Sequence, residues 1–515
     1  MQSEVAMSDG MGQLSFNSPR SFSSILSSLT VPAGSLATLV LVICCCLISK
    51  VAVSHLWLTI AAVGLIPLVV GASWAFGARP FAVFGLVFSS WSQLVHHFIY
   101  RPYIGASDGL TIELTDIWTI WLLILCAVEY QKGTTKTVLG LRAFLAPLAL
   151  LLMADILSLV NSADMELSVY GILTHLRVAA LFVVLVLALA LGKQELHAAR
   201  VAIVCSVLTM GGICVVEMIT HVNIPRNAAL IAEAGESDFR AGGISSPTLA
   251  AALLATLLPV VAIEYFFPHS RARKILAGLA ICAGLAGIGC TLTRAAAGLL
   301  AFASIPLMVF LFRKNRIKVT HILACCVLLA LLGVGLKDKI SERVDEGTDN
   351  LMARVGLLGT ALNMAAHSPL VGEGVNNYEL KMNGFIPSGQ RQKFEYVVHN
   401  KFFLTLAETG IIGLGAFVWF LVIAFHRAIF LARRGLPMGV GILCSMIVFV
   451  FEMNVESYDS GMNLLFSFIL MALVAVMWSS ENVKAQQQGG VPIGTTGRMV
   501  DTRLRTEAVV LSWKE

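Results

Sequence analysis

Residues 169–191 read VYGILTHLRVAALFVVLVLALAL, an apolar run whose only formal charge is Arg177. A helix rises about 1.5 Å per residue and the hydrocarbon core of a bilayer is about 30 Å thick, so roughly 20 such residues cross it. In lipid every backbone N–H and C=O must bond within its own segment, which makes the run a helix. Similar runs lie on both sides of it. Those before it are 34–53, 56–76, 80–99, 110–129 and 138–160; those after it are 198–220, 244–267, 275–292, 296–312, 319–336, 402–425, 437–455 and 462–479. The sequence predicts an all-α, polytopic integral membrane protein of about 14 transmembrane helices. The range is 12–14, because the first four boundaries are the least sharply drawn. Composition excludes a string of soluble domains: charged residues are 13% and hydrophobic ones 57%, against roughly 25% charged in soluble proteins.

The charges orient these spans. Lys132, Lys136 and Arg142 fall at one turn of the chain, then Lys193 and Arg200, then Arg271, Arg273 and Lys274, then Arg313, Lys314, Arg316 and Lys318, then Arg427, Arg433 and Arg434. The alternate short connections are poor in basic residues. The basic ends are therefore expected in the cytoplasm. Residues 1–33 form a polar N-terminus without the charged start and apolar core of a cleavable signal, so the first span is expected to stay as an anchor. Residues 34–479 form the membrane domain, and the Gln-, Gly- and Thr-rich tail 480–515 is expected to be disordered and cytoplasmic. Two polar segments then face outward, 221–243 and a large loop, 337–401. The large loop holds eight basic and eight acidic residues, so it is not simply a basic surface. Within it Leu351, Val355, Leu358 and Leu362 recur at helical spacing, which predicts a short helix lying at the outer interface. The 11 cysteines all sit in apolar runs and read as small buried hydrophobes.

Three arginines fall near the outer half of the membrane: Arg240 before the eighth span, Arg294 at a very short connection, and Arg177 inside the sixth span. An arginine within a span is costly and points to function. Together they suit a diphosphate, because a guanidinium stays charged and donates paired hydrogen bonds. A sugar leaving a lipid diphosphate needs that developing charge stabilised. There is no DxD triplet and no His/Asp/Glu spacing for a metal, so the expected site is arginine-based and metal-free. Bland readings stand beside these. Arg240 or Arg294 alone can be a snorkelling side chain, and Arg177 can pair with Glu113 or Asp116. His399, where the large loop enters the twelfth span, can accept a proton from an acceptor hydroxyl, or serve only as a structural residue at a helix start. Glu408, further along that helix, can orient polar groups or merely cap an interface.

The stretch HNKFFLTLAETGIIGL, residues 399–414, resembles the signature of the O-antigen ligase and O-antigen polymerase superfamily. Other landmarks follow in order. RAGGISSPTLAAALLATLLP (240–259) is similar to an Arg-x-x-Gly…Pro-Asn-x-x-Ala segment, TLTRAAAGLLAF (291–302) to Thr-x-Ser-Arg-Gly, and ARVGLLGTALNMAAHSPLVGEGVNNYE (353–379) to the Arg…Pro-x-x-Gly-x-Gly segment of a large periplasmic loop. The chain departs from the pattern at Thr248, where asparagine is usual, at Thr293, where serine is usual, and at Ala295, where glycine is usual. Two N-terminal spans also exceed the family's usual count.

This resemblance implies a catalytic membrane domain of a bacterial inner-membrane enzyme, its site facing the periplasm. The enzyme would be an inverting glycosyltransferase that needs neither cofactor nor nucleotide sugar. It implies Arg240 and Arg294 on the diphosphate, His399 at the acceptor hydroxyl, and Arg354 in substrate binding; Arg177 and Glu408 join the expected substrate-binding set on the physical argument given above. The donor would be an undecaprenyl-diphosphate-linked glycan. The acceptor would be another glycan or lipid A-core. Further expected partners are membrane lipids, a polysaccharide flippase and a chain-length regulator, and no nucleic acid. The favoured reading is a polymerase of O-antigen or exopolysaccharide repeats, with a ligase as the alternative. A transporter of lipid-linked oligosaccharide ranks lower, because the chain lacks internal pseudo-symmetry.

Overall fold

The computed structural model describes residues 77–91, 95–97, 111–132, 139–222, 240–243, 245–318, 320, 354–386, 397–454 and 462–487. The chain divides into two compact units at residue 75, and all of these residues belong to the second. The expected spans 34–53, 56–76 and 319–336 lie outside them. The helices, in order, are α1 (Ala78–Ser89), α2 (Leu114–Gln131), α3 (Leu139–Ser158), α4 (Met165–Leu191), α5 (Lys193–Thr220), α6 (Pro247–Phe266), α7 (Arg271–Thr291) and α8 (Arg294–Arg313). Then come α9 (354–367), α10 (Tyr378–Met382), α11 (Lys401–Arg433), α12 (Pro437–Glu452) and α13 (Met462–Gln487). Nine helices among the described residues are long and apolar enough to cross a membrane, so the protein is a multi-pass membrane protein; α1 and α12 are shorter apolar helices.

Two expectations change. The span expected at 80–99 ends at Ser89, and the chain then forms a two-stranded antiparallel ribbon in which β1 (Val95–His97) pairs with β2 (Thr111–Glu113), His96 opposite Ile112. The fold is helical with this one exception among the described residues. One reason is that the sequence after Ser89 carries His96, His97, Arg101, Pro102, Gly105 and Gly109, residues that interrupt an apolar helical run. At the other end, α13 runs on to Gln487, past the boundary expected at 479. There Asn482 is buried and Lys484 meets Glu481 at 2.7 Å. The helix expected in the large loop is α9. It forms where the spacing predicted, but its buried face is Leu357, Ala361 and Met364, packed with Tyr378, Met382, Val398 and Leu404. Val355 and Leu362 are exposed.

The helix starts have local causes. Asp164 caps α4 by accepting the N–H groups of Glu166 and Leu167, Ser246 caps α6 just before Pro247, and Asn400 caps α11 by accepting from Phe402 at 3.0 Å and Phe403 at 3.2 Å. Each satisfies donors that have no partner inside the helix. At the centre, α3, α4, α11 and α13 meet through rings: Phe144 lies 5.0 Å from Phe420 and 5.2 Å from Phe182, and Phe182 lies 5.9 Å from Phe468. Short connections make successive helices antiparallel, so two ends of the bundle differ in chemistry. One end carries Arg200 bonded to Glu264, Arg273 3.6 Å from the same carboxylate, and Arg427 between the Phe144 and Trp478 rings. The other carries the turns at 159–164, 240–246, 291–294, 368–386, 397–400 and 453–454.

Candidate active site

Arg240 is half-buried. Its Nε–H donates to the Thr291 carbonyl at 3.0 Å, and an Nη group donates to the Thr293 hydroxyl at 3.1 Å. The Ala241 N–H meets the Cys290 carbonyl at 3.2 Å. The next residue after Thr293 is Arg294, exposed as the first residue of α8. Two arginines some fifty positions apart in sequence are thus delivered to one turn. The departure at Thr293 leaves this intact, because threonine supplies the same hydroxyl acceptor as serine. Glu217, near the end of α5 and 1% exposed, holds the turn from behind. One of its carboxylate oxygens accepts the Gly242 N–H at 2.9 Å and the Gly243 N–H at 2.7 Å. Glu217 was not among the expected site residues; its signal was that it is the one acid in the apolar run 198–220.

His399 stands immediately before the Asn400 cap of α11. The Lys401 N–H donates to the Met453 carbonyl at 2.9 Å, and Asn400 bonds Asn454 at 3.2 Å, so the head of α11 is fastened to the end of α12. The same end of α12 touches α8 through Phe451 and Phe302, whose rings are 5.8 Å apart. Asn463, at the start of α13, donates to the Leu249 carbonyl of α6 at 3.2 Å. The helix ends carrying Arg240, Arg294 and His399 are therefore tied into one layer.

The helix below His399 is broken. Gly410 has φ 66° and ψ −167°, a region open essentially only to glycine. The break frees backbone groups, and the loop 368–374 takes them. The Glu373 N–H donates to the Ala407 carbonyl at 2.8 Å, the Gly374 N–H to the Glu408 carbonyl at 3.0 Å, and the Ile411 N–H to the Pro369 carbonyl at 2.9 Å. A Cβ on Gly372 would lie 2.3 Å from the Glu408 carbonyl carbon, and one on Gly410 would lie 2.3 Å from that of Leu370. The glycines of Pro-x-x-Gly-x-Gly and Glu-Thr-Gly are thus two sides of one backbone contact.

Buried polar side chains complete this joint. Glu373, 2% exposed, meets His367 and Lys381, each at 2.6 Å. Asn377 is fully buried and ties the loop to the turn before α4 through Asp164 and Ser168. Asn161 bonds Ser368 and the Gly372 carbonyl. Glu408 is buried, and one of its oxygens faces the Tyr378 N–H at 3.4 Å. Burial and then the Glu408 carboxylate push the Tyr378 phenol above its ordinary range, and its hydroxyl donates to the Leu357 carbonyl at 3.3 Å.

The other expected residues take different positions. Arg177 pairs with Glu113 at 2.9 Å and Asp116 at 3.5 Å, the acidic neighbours the sequence offered it. Arg354 opens α9 and is exposed. What the layer offers chemically is cationic donors on one turn, a histidine at a neighbouring helix head, and a rigid, glycine-sealed support beneath.

A family model described as O-Antigen ligase matches residues 277–418. The match runs from α7 to just beyond the Gly410 break, so it contains Arg294, Arg354, His399 and Glu408, while Arg240 and Arg177 precede it. No curated protein matches the chain.

Proposed function

We propose that this protein, a member of the O-antigen ligase and polymerase superfamily through residues 277–418, polymerises undecaprenyl-diphosphate-linked oligosaccharide repeats on the periplasmic face of the bacterial inner membrane. The observation that carries the reading is the fastening of Arg240 to Thr291 and Thr293, which fixes it beside the turn presenting Arg294. Cations held in place before the reaction stabilise charge that appears only as the bond breaks. In the proposed step, the acceptor hydroxyl attacks the anomeric carbon of the donor sugar while the bond to the lipid diphosphate cleaves with inversion. His399 takes the hydroxyl proton. Arg240 and Arg294 hold the departing diphosphate, doing what a metal does elsewhere. Arg354, exposed on α9, contacts the glycan, and Glu408 holds the backbone beneath the acceptor. Arg177, paired with two carboxylates, supports the flank of the donor site.

The description of the matched family favours a second reading: a ligase that uses the same donor site and transfers the chain to lipid A-core. Glycan output in a deletion strain tests both. Wild type, His399→Ala, Arg294→Ala and Arg240→Ala are complemented at matched membrane levels, and polymer and lipid-linked intermediates are resolved on one gel. Each variant is expected to lower transfer by about 10²-fold or more. Single repeats accumulating in place of long polymer identify the polymerase. Long lipid-linked chains that never reach their acceptor identify the ligase. Unchanged output from all three variants overturns the site.

A further inference from the structure

A second polar cluster lies inside the bundle, below the layer of Arg240, Arg294 and His399. Asp155 on α3 is fully buried, and its Oδ2 stands 2.8 Å from Nδ1 of His175 on α4. Its other oxygen, Oδ1, is also buried and has no hydrogen-bond partner. An ionisable group within membrane-spanning helices marks function by default, and a buried oxygen without a donor calls for one. Asp155 and His175 line a cavity of about 40 Å³ together with Lys401, Thr405 and Glu408; the rest of its wall is largely apolar, with Phe417 and Phe468. A water needs roughly 10–15 Å³ and two to four polar partners. The cavity provides both.

Lys401, Thr405 and Glu408 all belong to the part of α11 before the Gly410 break. That piece is severed from the long half of the helix by non-helical backbone, so the long half does not set its direction. Its direction comes from what it touches: Met453 at its head, the Glu373 and Gly374 N–H groups at its tail, and the cavity wall along its flank. His399 leads directly into this piece.

We propose that the cavity binds water and that Asp155, braced by His175, is a positioning residue: its Oδ1 holds Lys401 through that water and so sets where the head of α11 presents His399. The proposal rests on the reading that His399 serves the transfer step. Asp155 acts through Lys401 and touches no substrate. The charged groups around it are Lys401 and Glu408 from α11, and Arg177 with Glu113 and Asp116 two residues beyond His175; α13 contributes Leu464 and Phe468 to the wall.

The test uses the purified full chain in lipid nanodiscs, with a polyprenyl-diphosphate-linked repeat as donor. Asp155→Asn is expected to lower kcat about tenfold while donor KM stays within about twofold, and Asp155→Glu to restore most of the rate. Amide exchange is expected to rise at residues 399–405 and not along α13. His175→Gln, which keeps the carboxylate, should move the same readouts in the same direction, and serves if the Asn variant does not accumulate. Electron cryomicroscopy of the wild type should show ordered water against Asp155. Wild-type kcat and exchange in Asp155→Asn, exchange rising evenly through the bundle with no rescue by Glu, or a dry cavity would each overturn the proposal. His399→Ala, assayed in parallel, separates the two ideas. Full activity there removes the transfer role of His399, while the cavity water is still read by microscopy.

Discussion

At the scale of single residues, burial divides the arginines into two kinds. Arg177 sits between Glu113 and Asp116 with all three largely buried. Removing one member of such a group leaves charge stranded in a poor solvent, which costs about 3 kcal/mol or more. Arg177→Ala is therefore expected to lower the thermal midpoint of the detergent-solubilised protein, whereas Arg294→Ala, at an exposed position, should leave that midpoint within error and abolish transfer. Equal midpoints for the two variants would contradict this division. Glu217 gives a second prediction. Glu217→Ala strips two backbone N–H groups of their acceptor, at a cost of about 1–3 kcal/mol each, and releases the turn that carries Arg240. Transfer should fall with Glu217→Ala and stay low at the low temperature where the protein is fully folded. What the sequence disclosed here was residue type and approximate depth. Arg240, Arg294 and His399 stood out as candidates because polar and charged residues beside apolar runs are conspicuous. The roles of Glu217, Asp155, His175 and Glu373 were not readable, because a side chain shows nothing in sequence of the partner it meets across 25, 20 or 6 positions.

At the scale of elements, the break in α11 joins two glycine-bearing stretches of this chain, 369–374 and 408–410, in one backbone contact. Gly410→Ala is expected to cost more than about 3 kcal/mol, because alanine is barred from that conformation and its methyl would strike Leu370. Gly372→Ala should give a similar loss from the opposite side. Limited proteolysis checks both: cleavage within 354–386 should accelerate in either variant, while α5 to α7 stay protected. The double variant should be little worse than either single one, since both break one contact. Helix positions were readable because an apolar run of about 20 residues leaves few options in lipid. The ribbon of β1 and β2 was hidden because 80–99 is apolar enough on average to pass as a span. The second apolar side of α9, Leu357, Ala361 and Met364, went unread because only the loop's return onto Tyr378 and Leu404 covers it.

Across the whole molecule, the bundle is polar in two different ways. The end with Arg200, Arg273, Arg313, Lys314 and Arg434 is cationic along its rim. The other end mixes amides and glycine turns with cations and buried acids such as Glu217, Glu373 and Glu408. By the bias of basic residues the first end is expected in the cytoplasm. Single cysteines introduced at 227 and 390 in a background lacking native cysteines should react with a membrane-impermeant maleimide added to intact spheroplasts, and one at 315 should react only after lysis. The reverse pattern would turn the proposed site to the cytoplasmic side and remove the periplasmic reading altogether.

The seam between the loop 368–374 and α11 also bears on the order in which the protein is made. The loop leaves the ribosome before α11 does, so its Glu373 and Gly374 donors are synthesised ahead of the carbonyls they will meet. Those donors stay with water until α11 is inserted and Gly410 has bent it, and the seam then closes as a late event in biogenesis. A truncation ending before residue 401 would leave the loop without its counterpart, so this half of the candidate site cannot form until α11 has been made.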